Sequence, residues 1–369
     1  MITSKCTLTI DLDIIKKNYQ NLQKICSESE VGAAVKANCY GLGALNITPV
    51  LAKYGCRHFF VANQDEGVSL RKILNQQNLS SEFTNIYVLK GYFVGDKDDF
   101  LESNLIPVLN SLYQLELWQD LALQLNRKLP CLVHIDTGMN RLGMPGPEVK
   151  DLLEYVDSLK ILCVMSHLSS SEEFDNELNI MQLNKFKKLA ALFPHAKKSL
   201  ANSSGIFLGS NYHFDIVRPG AALYGINPAP YIKKSVVKNP LELTAPIVQI
   251  KELEEGEFVG YNATYQANKN HLMATLPLGY ADGYIRSLSN KGVVFINDKP
   301  APVIGRVSMD LITIDVSKIP KEELFLGQKV EIIGKNMSVD QMANLAGTNA
   351  YEILTMLGDR YNRVYKSVV

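Results

Sequence analysis

The stretch VGAAVKANCYGLG, residues 31–43, decides how the chain is read. Small and branched apolar residues run up to Lys36 without alternating polarity, as in a parallel strand buried on both faces. Asn38, Tyr40, Gly41 and Gly43 follow at once and end the strand in turn-forming residues. Seven further short β-rich runs follow: RHFFVA from residue 57, NIYVL from 85, LIPVL from 105, CLVHID from 131, ILCVMSH from 161, KSLANSS from 198 and HFDIVRPG from 213. Eight such runs are what a (β/α)8 TIM barrel requires. Between them, SLYQLELWQDLALQLN (111–126) and EEFDNELNIMQLNKFKKLAALF (172–193) carry apolar residues at three- and four-residue spacing, which predicts amphipathic helices outside the barrel. No Gly-x-Gly-x-x-Gly follows the first run, which argues against a dinucleotide-binding domain.

The pattern changes at NPAPYIKKSVVKNP, residues 227–240. Helical periodicity largely stops, and APIVQIKEL, HLMATLPLG, GVVFIND, APVIGRV, LITIDV and QKVEIIG follow, separated by Gly, Asp and Asn turns. The expected architecture is therefore α/β: a barrel over residues 1–235, then a mostly β domain over 236–369. The opening run CTLTIDLD suits either domain. Short helices are expected near 338–346 and 351–355, and the mixed-charge stretch 251–257 reads as a solvated loop between strands.

Composition narrows the function. The 369 residues are 46% hydrophobic, and 38 basic residues balance 38 acidic ones without a block of either sign. Neither nucleic acid nor an anionic membrane has an electrostatic claim on such a chain. Six cysteines without a Cys-x-x-Cys pair argue against a disulfide scaffold or thiolate metal site, and no metal is expected. The opening MITSKCTLTIDLD turns charged before any apolar run long enough for a signal peptide, and no window suits a bilayer, so the cytoplasm is the expected compartment.

In a barrel the chemistry gathers where the strands end. Lys36, Asp136, Arg141, His167, Asn202, Ser203 and Arg218 all fall at run ends. A lysine in that place is more often an ordinary solvated charge than a reactive amine, but a buried, neutral one is a nucleophile toward an aldehyde. RPGAALYG from Arg218, with Asn202 to Gly205, looks like a phosphate cradle of backbone N–H groups at the seventh and eighth loops. Taken singly, Arg218 reads equally well as a salt-bridge partner of the helix layer, and His167 as a satisfied rim histidine.

These residues carry a family resemblance. AVKANCYGLG (34–43), HIDTGMNRLG (134–143), MSHLSSSEE (165–173), ANSSG (201–205), DIVRPGAALYG (215–225), VGYNATYQA (259–267), PLGYADGY (277–284), GRVSMD (305–310) and YEILTMLGDR (351–360) occur in order and span almost the whole chain. In them the chain resembles the bacterial alanine racemases, enzymes of a barrel plus a β domain that use pyridoxal 5'-phosphate to interconvert L- and D-alanine for peptidoglycan. The resemblance implies that Lys36 holds the cofactor covalently and serves as one proton-transfer base, with Tyr261 as the opposite base. It implies that Arg218, supported by His167, faces the pyridine nitrogen. Tyr40, Asn202, Ser203, Gly220, Ala221 and Tyr351 would hold the phosphate, partly through backbone N–H groups, and Arg141 and the Met309 N–H the substrate carboxylate. It also implies a homodimer, head to tail, in which Tyr261 completes the partner's site. Tyr280 and Tyr284 would line the substrate entrance.

Five positions depart from the family pattern. His134 stands where many relatives have a carbamylated lysine that orients the arginine equivalent to Arg141, so another anion, a carboxylate or a neutral hydrogen bond must act there. Cys39 replaces an alanine, Leu42 a histidine, Asn262 a glycine and Ser308 a cysteine. Two neighbouring readings use the same scaffold: a racemase for serine or several small amino acids, set by the pocket near Tyr351, Met309 and Tyr261, and a related barrel decarboxylase, which fits the length and the second domain less well. A small cofactor-handling barrel protein without turnover would resemble the N-terminal half alone and lack Tyr261.

Overall fold

The computed structural model describes residues 5–79, 82–232 and 235–367. Residues 1–4 of the opening run and 233–234 of the connection lie outside the described residues. The chain divides into two compact units, one of residues 15–238 and one of residues 1–14 with 239–369.

Strand β1 (Thr7–Asp11) opens the chain, and β2 (Glu30–Val31) and β3 (Ala33–Ala34) begin the barrel. The remaining barrel strands are β4 (His58–Val61), β5 (Asn85–Val88), β6 (Leu105–Leu109), β7 (Pro130–His134), β8 (Lys160–Met165), β9 (Lys197–Ser199) and β10 (Ile216–Val217). β3 to β9 form one parallel sheet in sequence order, and β10 pairs in parallel with β2. The Arg218 N–H donates to the Ala201 carbonyl at 2.9 Å and the Asp215 N–H to that of Lys198 at 3.0 Å, tying the eighth strand to the seventh. The eight expected runs are thus the eight staves of a TIM barrel, with β2 and β3 as two halves of the first.

Side chains fill the barrel interior rather than leaving a pore. Phe60, Tyr87, Ile106, Val108, Leu132, Cys163, Met165 and Ile216 form one buried cluster, and the four residues of β4 are all buried. Burial on both faces is why these runs lack alternation. Outside, Leu112–Gln124 is capped by Ser111, whose hydroxyl accepts the Gln114 N–H at 3.3 Å. The second expected helix starts late, at Glu177–Ala190, because Asn176 takes the N-cap and accepts the Leu178 N–H at 3.0 Å.

The second unit is mostly β. Leu241–Pro246 pairs antiparallel with Lys329–Ile333, His271–Leu276 with both Gln249–Leu253 and Ile312–Asp315, and Val293–Ile296 with Lys299–Pro302. β1 joins this unit, antiparallel to Leu241–Pro246 and parallel to a closing strand, Asn362–Lys366. Part of the charged stretch 251–257 belongs to the strand Gln249–Leu253: its charges sit on a solvated edge, which the composition alone reads as a loop. Helices Val339–Ala346 and Ala350–Thr355 follow Ser338 and Asn349 caps. All six cysteines are free and buried. Among the described residues no helix is long and apolar enough to cross a membrane.

Candidate active site

The C-terminal ends of the barrel strands converge as expected for this architecture. After β3 the ladder continues for one bond, Val35 N–H to the Phe60 carbonyl at 2.9 Å, and Lys36 comes next. The backbone then does something unusual. Ala37, Asn38, Cys39 and Tyr40 take φ of 51, 53, 55 and 56°, a left-handed turn of four non-glycine residues, before Gly41 at 80°. Each such residue costs roughly 1–2 kcal/mol, least for asparagine. Part of that cost is offset by hydrogen bonds within the segment: Gly41 N–H to the Ala37 carbonyl at 2.7 Å, Gly43 N–H to the Asn38 carbonyl at 2.9 Å, and Ala44 N–H to Asn38 Oδ1 at 2.7 Å. Concentrated strain of this kind marks functional segments.

Burial lowers the pKa of the Lys36 amine, and Arg141 lowers it further, against a smaller opposing pull from Glu66. That is the direction required of a nucleophilic amine.

Arg218 follows β10 and is 5% exposed. It donates from Nη1 to Ser199 Oγ at 2.5 Å and from Nη2 to the Ser166 carbonyl at 2.5 Å, the Leu200 carbonyl at 3.3 Å and His167 Nδ1 at 3.5 Å. All its partners are neutral. Burial brings its pKa down to about 10, so the guanidinium remains charged at neutral pH. His167 is held neutral, its pKa pushed far down by desolvation, then by Arg218, Arg141, His134 and Lys36.

The seventh and eighth loops form a cradle. Ser203 Oγ accepts the Gly220 N–H at 2.9 Å and the Ala222 N–H at 3.1 Å, while Asn202 Oδ1 accepts the Gly205 N–H at 2.8 Å and the Ser171 hydroxyl at 3.0 Å. A Cβ on Gly220 would lie 2.4 Å from Tyr40 Oη, so only glycine lets the two loops meet. Tyr40, Ser203, Gly220 and, beside them in sequence, Ala221 are thereby brought together.

His134 ends β7 in a buried polar chain. Its Nδ1 lies 2.8 Å from Asn110 Oδ1, and Asn110 Nδ2 donates to the Val108 and Leu89 carbonyls at 2.8 and 3.0 Å. Because the amide nitrogen is committed to carbonyls, Oδ1 must accept and Nδ1 must carry the proton. Burial, Arg218 and Arg141 bring the His134 pKa down to about 4 against the pull of Asp136, so the ring is neutral with a lone pair on Nε2. At this position the chain therefore presents a neutral imidazole held by Asn110. Asp136 is a loop organiser: its Oδ1 accepts the N–H groups of Gly138, Met139 and Asn140 at 2.9, 3.1 and 3.2 Å, shaping the loop that carries the exposed Arg141.

In the second unit, Tyr261 stands 69% exposed at the tip of the hairpin formed by Phe258–Val259 and Tyr265–Gln266. Its neighbours Gly260 and Asn262 both take positive φ, 74 and 62°, a conformation that asparagine tolerates better than most residues. Met309 is 53% exposed, and its carbonyl accepts the Ala281 N–H at 3.0 Å. Arg360 bonds Asp282 through Nε at 2.7 Å and Nη2 at 2.8 Å and Asp310 through Nη1 at 2.8 Å, so three of the motifs are knotted together. Tyr351 lies in the first turn of Ala350–Thr355. Tyr280 is exposed, but Tyr284 is buried with its hydroxyl unpartnered, packed inside the unit rather than lining an entrance.

Sequence reasoning missed Glu66, Asn110, Ser166 and Ser199. Asn110, Ser166 and Ser199 stand as polar residues at strand ends, a signal open to sequence reasoning, whereas Glu66 is explained locally by its place in a helix's first turn.

The comparisons with known proteins agree. Residues 10–228 match the family model for the alanine racemase N-terminal domain and 240–365 that for the C-terminal domain. A curated alanine racemase from Rickettsia canadensis is 51% identical over 365 residues, covering 98% of this chain and 99% of the relative. The crystal structure of alanine racemase from Bartonella henselae with covalently bound pyridoxal phosphate is 37% identical with a TM-score of 0.92, covering 99% of this chain and 100% of that one. A biosynthetic alanine racemase from Pseudomonas aeruginosa is 29% identical with a TM-score of 0.90, covering 99% and 100%. With both family models matched and relatives covered from end to end, the chain belongs to the alanine racemase family.

Proposed function

We propose that this protein interconverts L- and D-alanine with pyridoxal 5'-phosphate, using Lys36 and Tyr261 as opposed bases, and supplies D-alanine for peptidoglycan from the cytoplasm. The observation that carries it is the barrel rim: Lys36, Arg141 and Arg218 all depress the pKa of His167 there, beside a cradle of backbone N–H groups. Such a rim fits a phosphate-bearing pyridine aldehyde. The N–H groups of Gly220 and Ala222 now on Ser203 Oγ, with Tyr40, would hold the phosphate, and Asn202, Ala221 and Tyr351 would add to it. Arg218 would hold the ring nitrogen unprotonated, because a guanidinium surrounded by neutral acceptors keeps its own proton.

Bound there, pyridoxal phosphate supplies an electron sink for the charge left when the α-proton departs. The chain supplies the rest. Lys36 Nζ, its basicity already reduced, takes or returns the proton on one face of the α-carbon. Tyr261 Oη does so on the other, and inversion needs both because a fixed base reaches only one face. Arg141 and the Met309 N–H orient the substrate carboxylate, and Arg141 orients the Tyr261 phenol. Tyr261 would serve the partner's barrel in a head-to-tail homodimer.

Mixing two dead variants tests both assignments at once. Lys36→Ala and Tyr261→Phe homodimers should each be inactive in D-alanine formation. After subunit exchange, about a quarter of wild-type activity should return, because a mixed dimer carries one site with both bases. No recovery despite exchange would remove the shared-site arrangement. A wild-type protein that binds the cofactor but turns over serine faster than alanine would move the substrate assignment instead.

A further inference from the structure

The geometry points to Glu66 as a positioning residue for Lys36: its carboxylate clamps the left-handed turn that begins at the next residue and supplies the negative charge facing the amine. The inference rests on the proposed role of Lys36. Glu66 lies in the first turn of Gln64–Gln76, whose N-cap is Asn63. Asn63 Oδ1 accepts the Glu66 N–H at 3.0 Å, so NQDE has the sequence of a capping box. In that box the glutamate would turn back to the N-cap N–H. Here it does not. Oε2 accepts the Ala62 N–H at 2.7 Å, and Oε1 reaches across to the Ala37 N–H at 2.8 Å.

One carboxylate therefore ties the end of the second barrel strand to the first residue of the turn after Lys36. Hydrogen bonds from backbone N–H to a carboxylate are about twice as strong as neutral ones, and the one from Ala37 offsets part of the turn's conformational cost. The Ala37 bond fixes the peptide that directly follows Lys36, and so the direction in which that side chain leaves the strand. The charged and titratable groups facing the amine are Arg141, Glu66 and His167. With His167 neutral and Arg141 repelling, Glu66 keeps the amine from losing its proton too readily.

Glu66→Gln tests both effects, since it removes the charge and one of the two acceptor oxygens in use. In the full-length protein stripped of cofactor, pyridoxal phosphate is added across a pH series and the product is fixed with borohydride. The neutral Nζ adds to the aldehyde carbon, C=N replaces C=O with loss of water, and borohydride delivers hydride to that carbon. Mass spectrometry then reads capture at Lys36. Removing the negative charge should move the pH midpoint of capture down by about half a unit to one unit. Amide exchange in the peptide spanning 35–43 should quicken about tenfold. Asn63→Ala, which weakens the same helix cap, should lower the melting temperature without moving the midpoint. An unchanged midpoint in Glu66→Gln, with normal capture in wild type, overturns the proposal. An unchanged exchange rate does so too. Absence of capture at Lys36 in the wild type would instead remove the proposed function, and the exchange measurement would still decide the clamp.

Discussion

The two ends of the barrel treat charge in opposite ways. At the N-terminal end, Glu30, His58, Tyr87 and Lys197 close on one another: His58 Nε2 lies 2.6 Å from Glu30 Oε2, its Nδ1 2.9 Å from Tyr87 Oη, and Lys197 pairs with the other Glu30 oxygen. Each charge there has its opposite. At the C-terminal end, among the described residues, Arg218 is buried without a carboxylate, and the nearby histidines are forced neutral rather than enlisted as counter-charges. Charge left unbalanced inside a fold is expensive. It persists where a bound group can complete it, whereas at the N-terminal end the chain's own residues partner one another.

The largest expected effect tests which end is catalytic. Lys36→Ala should lower racemisation by about 10³-fold or more, as loss of a positioned base does, and abolish the absorbance of covalently held cofactor. Glu30→Gln should leave both intact. Equal damage from the two substitutions would break the comparison.

Arg218→Gln sharpens it. Removing the guanidinium should reduce turnover by about 10²-fold, as loss of a buried electrostatic partner does. Folding stability of the cofactor-free protein should change by less than about 1 kcal/mol, because lost hydrogen bonds are offset by relief of a desolvated charge. The pKa of His167, which Arg218 depresses, should rise and can be followed by histidine proton resonances.

Much of this was legible in the sequence, for reasons that can be named. β6, LIPVL, is buried throughout and so appears as an unbroken apolar run. Arg218, Ser203 and Gly220 were visible because loops at strand ends carry few residues that packing requires. The closing strand Asn362–Lys366 was not legible, since NRVYK is partly exposed along its length and has neither an apolar run nor clear alternation. Nor was the left-handed turn, because Ala37, Cys39 and Tyr40 carry no preference for that conformation. Glu66 was hidden by its own good fit: a glutamate three residues after an asparagine explains itself locally, and its bond to Ala37, 29 residues away, leaves no trace in spacing.

His134 gives an intermediate effect, in acid. Its folded pKa of about 4 lies below the ordinary 6.5, so the unfolded chain binds the proton first. Its contribution to stability is complete above pH 6.5 and drains away as the pH falls toward 4. His134→Gln, which cannot take up that proton, should move the acid limb of the melting curve to lower pH by about half a unit. A limb that stays in place would mean the buried imidazole is not what acid attacks at this end.

The smallest effect belongs to the neutralised end. Burial raises the pKa of the Glu30 carboxyl, but hydrogen bonds from Lys197 and His58 outweigh it and hold the pKa below the usual 4.5. A depressed carboxyl pKa stabilises the fold above the unfolded value and is lost as the pH falls through the folded one. Glu30 and Lys197 both have side chains about half exposed, 48% and 47%, so solvent screens the pair. Glu30→Gln should therefore cost about 1 kcal/mol or less at neutral pH. Urea unfolding of wild type and variant should converge as the pH drops below 4.5, where the wild-type carboxyl loses its charge too. Convergence with catalysis untouched would place the paired end in service of the fold alone; a persistent gap at low pH would show that the glutamate acts through packing, and the contrast between the two ends would then rest on Arg218 alone.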